Sequence, residues 1–154
     1  MNLAFYVSGG ASRLLKLLNL SEVKNPDYLD HIKAVIYDGG REDVAKQISQ
    51  SLSQLGMESK LEEVSYQGVE RRLRNSYFSK ILRRFLTDHK IDYLLVSGMR
   101  LISSDVVEDY KYRIINFHPS VLPAFPGINA IDKALDSQTL ILGNTCHFID
   151  DGVD

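Results

Sequence analysis

The chain has 154 residues, of which 44% are hydrophobic and 25% are charged, the composition of one globular domain. Its 18 basic and 20 acidic side chains leave a net charge of −2, which argues against nucleic acid or an anionic membrane as the main partner. The single cysteine, Cys146, excludes an internal disulfide, and no Cys/His spacing is typical of a metal site. No apolar run is long enough to cross a bilayer, so we expect a soluble cytoplasmic protein.

Apolar runs of strand length alternate with segments of helical periodicity along the chain. Strands are predicted over residues 3–7, 32–37, 59–64, 92–96 and 114–117, with a last one inside 140–149. Helices are predicted after Ser12 as N-cap, over 44–55, over 77–86, after Asp105, and over 130–135. This β-α-β-α order predicts an α/β fold with a mainly parallel, Rossmann-like sheet and helices on both faces.

The helix over 77–86 carries the clearest apolar stripe. Its spacing predicts one buried face formed by Tyr77, Phe78, Ile81, Leu82, Phe85 and Leu86.

The last residues of the sequence, 150–154, are typical of a loop that leaves a strand. A complete domain usually ends in an element that ties down its terminus, so we expect residues 1–154 to be a single domain that lacks its C-terminal part. The unpaired edge of a last strand favours association, which makes a homodimer a further expectation.

The first candidate binding segment is the turn after the first strand, formed by Gly9, Gly10, Ala11, Ser12 and Arg13. Glycines let the backbone approach a ligand, and N–H groups at a helix start attract anions such as phosphate, to which Arg13 adds a cation. The pattern is not the dinucleotide motif G-x-G-x-x-G, although Asp38 follows the second strand where a ribose-binding acid would stand. A tight connection without a ligand is an equally good interpretation.

The second candidate segment follows the fourth strand and contains Met99, Arg100, Leu101 and Ile102. Apolar residues around one arginine can form a slot for a flat heterocycle, whose edge the backbone would contact. Composition alone favours another interpretation, in which the three apolar residues belong to the core and Arg100 is a hydrated charge.

The third candidate segment, residues 116–127, contains three of the four prolines. Asn116 and His118 are two residues apart at a strand end, so their side chains point to the same side. An amide donor beside an imidazole can stabilise an oxyanion and transfer a proton, so this segment predicts catalysis. His147, on the last predicted strand, is interpreted as a supporting or core histidine.

The third segment begins a longer pattern: Asn116-x-His118-Pro119-Ser120, then Leu122-Pro123 and Pro126-Gly127, followed by His147 and Asp154. This pattern resembles the 10-formyltetrahydrofolate-dependent formyltransferases. In that family an Asn, a His two residues later and an Asp thirty-six residues after the His form the catalytic trio, the spacing of Asn116, His118 and Asp154 here. The resemblance is most specific over residues 97–154.

The resemblance implies transfer of a formyl group from 10-formyltetrahydrofolate to a primary amine, without a metal. Glycinamide ribonucleotide in purine biosynthesis is the expected acceptor. Asn116 and His118 would stabilise the oxyanion, and Asp154 would orient His118. The family's pterin site matches Met99, Arg100, Leu101, Ile102, Ile149, Asp150 and Asp151. The phosphate of the acceptor would meet the turn from Gly9 to Arg13.

Two departures from the family pattern leave alternatives open. Ala11 and Arg13 replace a Gly and an Asn of the usual phosphate loop. An amino-sugar nucleotide as acceptor would explain the altered loop. The end of the sequence at Asp154 leaves a third reading, a non-catalytic, truncated domain that binds folate.

Overall fold

A computed structural model describes residues 1–20, 27–57 and 60–150 of the chain. The strands are β1 (Leu3–Val7), β2 (Ile32–Tyr37), β3 (Lys60–Glu63), β4 (Tyr93–Ser97), β5 (Ile114–His118) and β6 (Thr145–Phe148). The helices are α1 (Ser12–Asn19), α2 (Glu42–Gln54), α3 (Arg74–Asp88), α4 (Ser104–Asp109) and α5 (Ala130–Asp136), with short 3₁₀ turns at Leu29–His31 and Arg71–Leu73.

The six strands form one sheet in the order β3-β2-β1-β4-β5-β6. The first five strands are parallel, and β6 runs antiparallel to β5. Because β2 and β4 lie on opposite sides of β1, the chain changes direction across the sheet between β1 and β4. Open α/β sheets bind ligands at such a switch point, at the carboxyl ends of the strands.

The core lies in two layers, one on each face of the sheet. Alternate residues of β1 point to opposite faces, as Tyr6 and Val7 illustrate. Helices α3 and α4 cover the face of Tyr6, and helices α1 and α2 cover the face of Val7. The expected α/β fold, with its mainly parallel sheet and helices on both faces, is confirmed.

Two local predictions need correction. Ser12 is the first residue of α1, and the N-cap is Ala11, whose positive φ of 48° turns the chain into the helix. Tyr77 is exposed, because the 3.6-residue period turns it away from the buried face that Phe78 and Leu82 share. The last strand, Thr145–Phe148, lies inside the predicted region 140–149, and Leu140 at the start of that region is fully exposed.

Within the described residues, no helix is long and apolar enough to cross a membrane.

The two aromatic residues at the start of α3 should differ in their contribution to stability. Phe78 is fully buried and its ring centroid lies 4.4 Å from that of Tyr6, whereas Tyr77 is exposed. We expect Phe78→Ala to lower the free energy of unfolding by about 3–5 kcal/mol, measured by urea denaturation. The matched control Tyr77→Ala should lower it by about 1 kcal/mol or less. Equal losses would contradict this assignment of the buried face.

Candidate active site

The three segments predicted from the sequence meet at one edge of the sheet. They follow β1, β4 and β5, which are neighbours in the sheet and run parallel. The backbone N–H of Ser8 donates to the carbonyl of Ser97 at 3.4 Å, so the turns after β1 and β4 touch directly. Parallel pairing therefore brings residues far apart in sequence to a single site.

Asn116 lies on β5 opposite His147 on β6. The Asn116 Nδ2 donates to His147 Nε2 at 3.2 Å, and His147 Nδ1 donates to the carbonyl of Phe148 at 3.1 Å. Both contacts fit one neutral tautomer, with the proton on Nδ1. His147 therefore orients the Asn116 amide, the supporting position that its place on a strand predicted.

His118 is the last residue of β5 and is only 3% exposed. Its Nε2 donates to the carbonyl of Phe125 at 3.0 Å, since a carbonyl oxygen can only accept. Strand alternation places His118 on the same side of β5 as Asn116, as expected. The ring is thus held between the strand and the proline-containing loop that follows it.

That loop is joined to β6 by hydroxyl groups. Ser120 is buried, and its Oγ donates to the carbonyl of Ala124 at 2.6 Å. Thr145 Oγ1 donates to the carbonyl of Ser120 at 2.7 Å and accepts from the N–H of Leu122 at 2.9 Å. These bonds fix the loop that holds His118. The sequence pattern contains Ser120 but did not predict these hydrogen bonds.

Arg13 projects from α1 toward the ends of β4 and β5. Its Nη1 donates to Ser97 Oγ at 3.1 Å and to the carbonyl of Phe117 at 2.9 Å, and its Nη2 donates to Asn144 Oδ1 at 2.8 Å. The guanidinium thus contacts the backbone carbonyl of Phe117, the residue between Asn116 and His118. The sequence predicted Arg13 as a cation for an anion at the first turn, and it did not predict the use of Arg13 as a link between three segments.

The turn that precedes α1 has an unusual backbone. Gly9 and Ala11 both have positive φ values, 55° and 48°. A positive φ costs a residue with a Cβ about 1–2 kcal/mol, so Ala11 adopts the conformation that a glycine would take at lower cost. The replacement of the family glycine therefore leaves the left-handed turn in place.

The apolar residues of the segment after β4 are not all buried, contrary to the interpretation that composition favours. Met99 and Leu101 are exposed, at 76% and 72%, and are not core residues. Ile102 packs partly buried against the core. The two exposed apolar side chains form a surface suited to a flat ligand, the other interpretation of this segment.

Arg100 forms an ion pair instead of remaining hydrated. Its Nε lies 3.2 Å from Asp38 Oδ2, which also accepts from the hydroxyl of Tyr66 at 3.0 Å. The guanidinium lies 4.7 Å from the centroid of the Tyr66 ring. Burial raises the pKa of Asp38, and the hydrogen bond from Tyr66 and the charge of Arg100 oppose that rise. The side chain of Asp38 is 2% exposed, so it cannot reach a ribose as its position suggested.

Two of the remaining predicted residues, Ile149 and Asp150, follow β6. Ile149 donates its N–H to the carbonyl of Ile114 at 2.9 Å, and Asp150 is exposed. Asp151 and Asp154 lie outside the described residues. A cleft of about 530 Å³ adjoins the site; Arg13, Pro119, Val121, Phe125, Ile131 and Leu142 contribute to its lining. Its volume is in the range of small-molecule sites.

The described residues contain no group of three or more His, Cys, Asp or Glu arranged to hold a metal ion.

A family model described as formyl transferase matches residues 1–154. The chain belongs to the formyl transferase family. The sequence is 38% identical over 78 residues to phosphoribosylglycinamide formyltransferase of Bacillus subtilis (strain 168), a match that covers 50% of this chain and 40% of that relative. The chain thus aligns with less than two thirds of that relative's length.

Two solved formyltransferase structures share the fold over nearly the whole chain. Glycinamide ribonucleotide transformylase 1 from Symbiobacterium toebii superposes with a TM-score of 0.77 at 25% identity, covering 100% of this chain and 68% of that one. Phosphoribosylglycinamide formyltransferase from Streptococcus pneumoniae TIGR4 gives 0.74 at 27% identity, covering 99% and 76%.

The links made by Arg13 should contribute to stability. Replacing Arg13 with Gln removes a charged donor shared by three acceptors, so we expect the free energy of unfolding to fall by about 1–2 kcal/mol in urea. The matched control is Lys16→Gln, an exposed cation on the same helix, which should leave stability unchanged. If the two variants were equally stable, the three contacts of Arg13 would not hold the site together.

Proposed function

We propose that this chain transfers a formyl group from 10-formyltetrahydrofolate to a primary amine, with glycinamide ribonucleotide as the acceptor. The observation that carries the proposal is the pairing of Asn116 and the loop-held His118 on β5, beside the exposed apolar surface of Met99 and Leu101. Family membership and the names of the relatives support the same reaction.

The folate supplies the formyl carbon. The amine nitrogen of the acceptor forms the new bond to that carbon, and the bond from the carbon to N10 of the folate breaks. The proton that the amine loses is transferred to N10, so the atoms and charges of the reaction balance. The chain has to stabilise the oxygen that becomes negative and to move this proton.

Asn116 is the proposed donor to that oxygen, because its amide is oriented from behind by His147. His118 is the proposed second donor and proton carrier. Asp154 is proposed to orient His118 through a hydrogen bond or an ordered water. An oriented donor is more effective than a mobile one because no reorganisation is needed when the charge develops.

The folate is proposed to lie against Met99, Arg100, Leu101 and Ile102, with Ile149, Asp150 and Asp151 on the other side of the pterin. Two exposed apolar side chains flanking an anchored arginine support this position, because a flat aromatic ring would cover them. The backbone groups of the segment would bind the polar edge of the ring.

The acceptor phosphate is proposed to bind the turn formed by Gly9, Gly10, Ala11, Ser12 and Arg13. The turn, with left-handed backbone at Gly9 and Ala11, leads into the start of α1, where backbone N–H groups favour an anion. Arg13 already donates to three protein acceptors, so its charge acts mainly as a fixed field.

The single domain lacking its C-terminal part, the cytoplasmic location and the homodimer stay predictions.

Removal of either proposed oxyanion donor should lower turnover without unfolding the protein. We expect Asn116→Ala and His118→Ala each to reduce kcat by about 10²–10³-fold, measured at saturating folate and amine. The control is His31→Ala, because His31 precedes β2 and its ring bonds to the backbone carbonyl of Met1, at 3.1 Å, instead of to any residue of β5. Near-normal turnover in either Asn116→Ala or His118→Ala would show that the trio is wrongly assigned.

The acceptor can be identified by competition between two classes of amine. With 10-formyltetrahydrofolate fixed, we expect kcat/KM for glycinamide ribonucleotide to exceed that for amino-sugar nucleotides by at least about a hundredfold, since a buried site rejects an analogue that leaves its polar groups unpaired. The opposite preference would identify the amino-sugar reaction. Folate binding without transfer to either amine would identify a non-catalytic domain.

A further inference from the structure

Asp38 contacts the proposed folate segment although it follows a different strand. It follows β2 directly, and its side chain is 2% exposed. Its Oδ2 accepts from Arg100 Nε at 3.2 Å and from the Tyr66 hydroxyl at 3.0 Å. Asp38 follows β2 and Arg100 follows β4, which lie on opposite sides of β1. The carboxylate therefore holds an arginine side chain from across the switch point.

The backbone of the segment after β4 is held by Tyr6 of β1. The N–H of Arg100 donates to the hydroxyl of Tyr6 at 2.9 Å. The ring of Tyr6 lies against Gly98, where a Cβ would come within 2.1 Å of the ring carbon Cζ. Burial, and then the charge of Asp38, raise the pKa of Tyr6 well above its ordinary value, so the hydroxyl stays protonated.

These two anchors decide which side chains of the segment face outward. Arg100 points toward Asp38, and its neighbours Met99 and Leu101 are exposed at 76% and 72%. If Arg100 turned away from Asp38, the segment could rotate and change which apolar side chains are presented. The contact with Asp38 thus fixes the side chain of Arg100 between two exposed apolar neighbours.

We propose that Asp38 is a positioning residue for formyl transfer, which acts through Arg100 to hold Met99 and Leu101 in place against the folate. This inference rests on the proposed function and adds to it a residue that never touches the substrates.

The cost of the buried carboxylate supports a role other than stability. Burial raises the pKa of Asp38 above its unfolded value, so ionisation of this group opposes folding as the pH rises through that range. Its Oδ1 is buried and has no hydrogen-bond partner among the described residues. An asparagine would fit the same space without a charge, so Asp38→Asn should keep the fold while losing the ion pair with Arg100.

The test is the steady-state kinetics of Asp38→Asn at saturating amine. We expect the KM for 10-formyltetrahydrofolate to rise about tenfold, the effect of losing one charge-assisted hydrogen bond. The KM for the amine should not change, and the urea midpoint should not fall. The matched control is Asp43→Asn, because Asp43 pairs with Arg41 at 2.7 Å on the surface, at 58% and 57% exposure, and should leave both KM values unchanged.

A second variant keeps the proposal testable if Asp38→Asn does not fold. Tyr66→Phe removes one hydrogen bond to Asp38 Oδ2 but keeps the ring beneath Arg100. For Tyr66→Phe we expect a smaller rise in the KM for 10-formyltetrahydrofolate than for Asp38→Asn. For Asp38→Glu, this KM should also lie between the values for the unchanged protein and for Asp38→Asn. An unchanged folate KM in both Tyr66→Phe and the folded Asp38 variant would overturn the proposal, as would equal losses of stability and of affinity for both substrates.

Failure of the proposed function would look different. If the unchanged protein formylates no amine, titration calorimetry with 10-formyltetrahydrofolate still compares the unchanged protein with Asp38→Asn. Weaker binding by the variant supports positioning by Asp38, and equal binding or no binding by either protein overturns it.

Discussion

The parallel pairing of β1 with β4, and of β4 with β5, is the constraint on which the site depends. Because parallel strands end at the same edge, this pairing brings the turn at Gly9, the segment at Met99 and the pair Asn116 and His118 together. The crossing from one side of β1 to the other opens space at that edge. The proposed substrate contacts of the first turn, of the segment after β4 and of β5 are all placed by these backbone ladders.

Side chains that join these loops complete the site, and two of them are arginines. Arg13 connects the ends of β4 and β5 with the loop before β6, and Arg100 connects the segment after β4 with Asp38 after β2. Guanidinium groups suit this task because their planar fork of donors reaches several acceptors in fixed directions. Formyl transfer between two bound substrates requires such rigidity, since reactivity falls steeply when the groups are misplaced.

Local pattern predicted the elements of the fold with few errors. The bounds of β1 and β2 agree with the apolar runs, because a strand buried on both faces leaves an uninterrupted signal. The errors are local: the helical period leaves Tyr77 exposed beside the buried Phe78, and Ser12 has the chemistry of an N-cap but follows the left-handed Ala11. The candidate segments were found from composition and motif, and Asn116 with His118 from their spacing and family resemblance.

The sequence by itself determined the fold class, the three candidate segments and the candidate pair on β5, since periodicity and short motifs are local properties of a chain. Only the tertiary structure decided the exposure of Met99 and Leu101, the partner of Arg100 and the use of Arg13 as a link. Arg100 and Asp38 are 62 residues apart, and Arg13 reaches partners 84, 104 and 131 residues away. No local pattern encodes such contacts, because they exist only after the strands have paired and their ends have met.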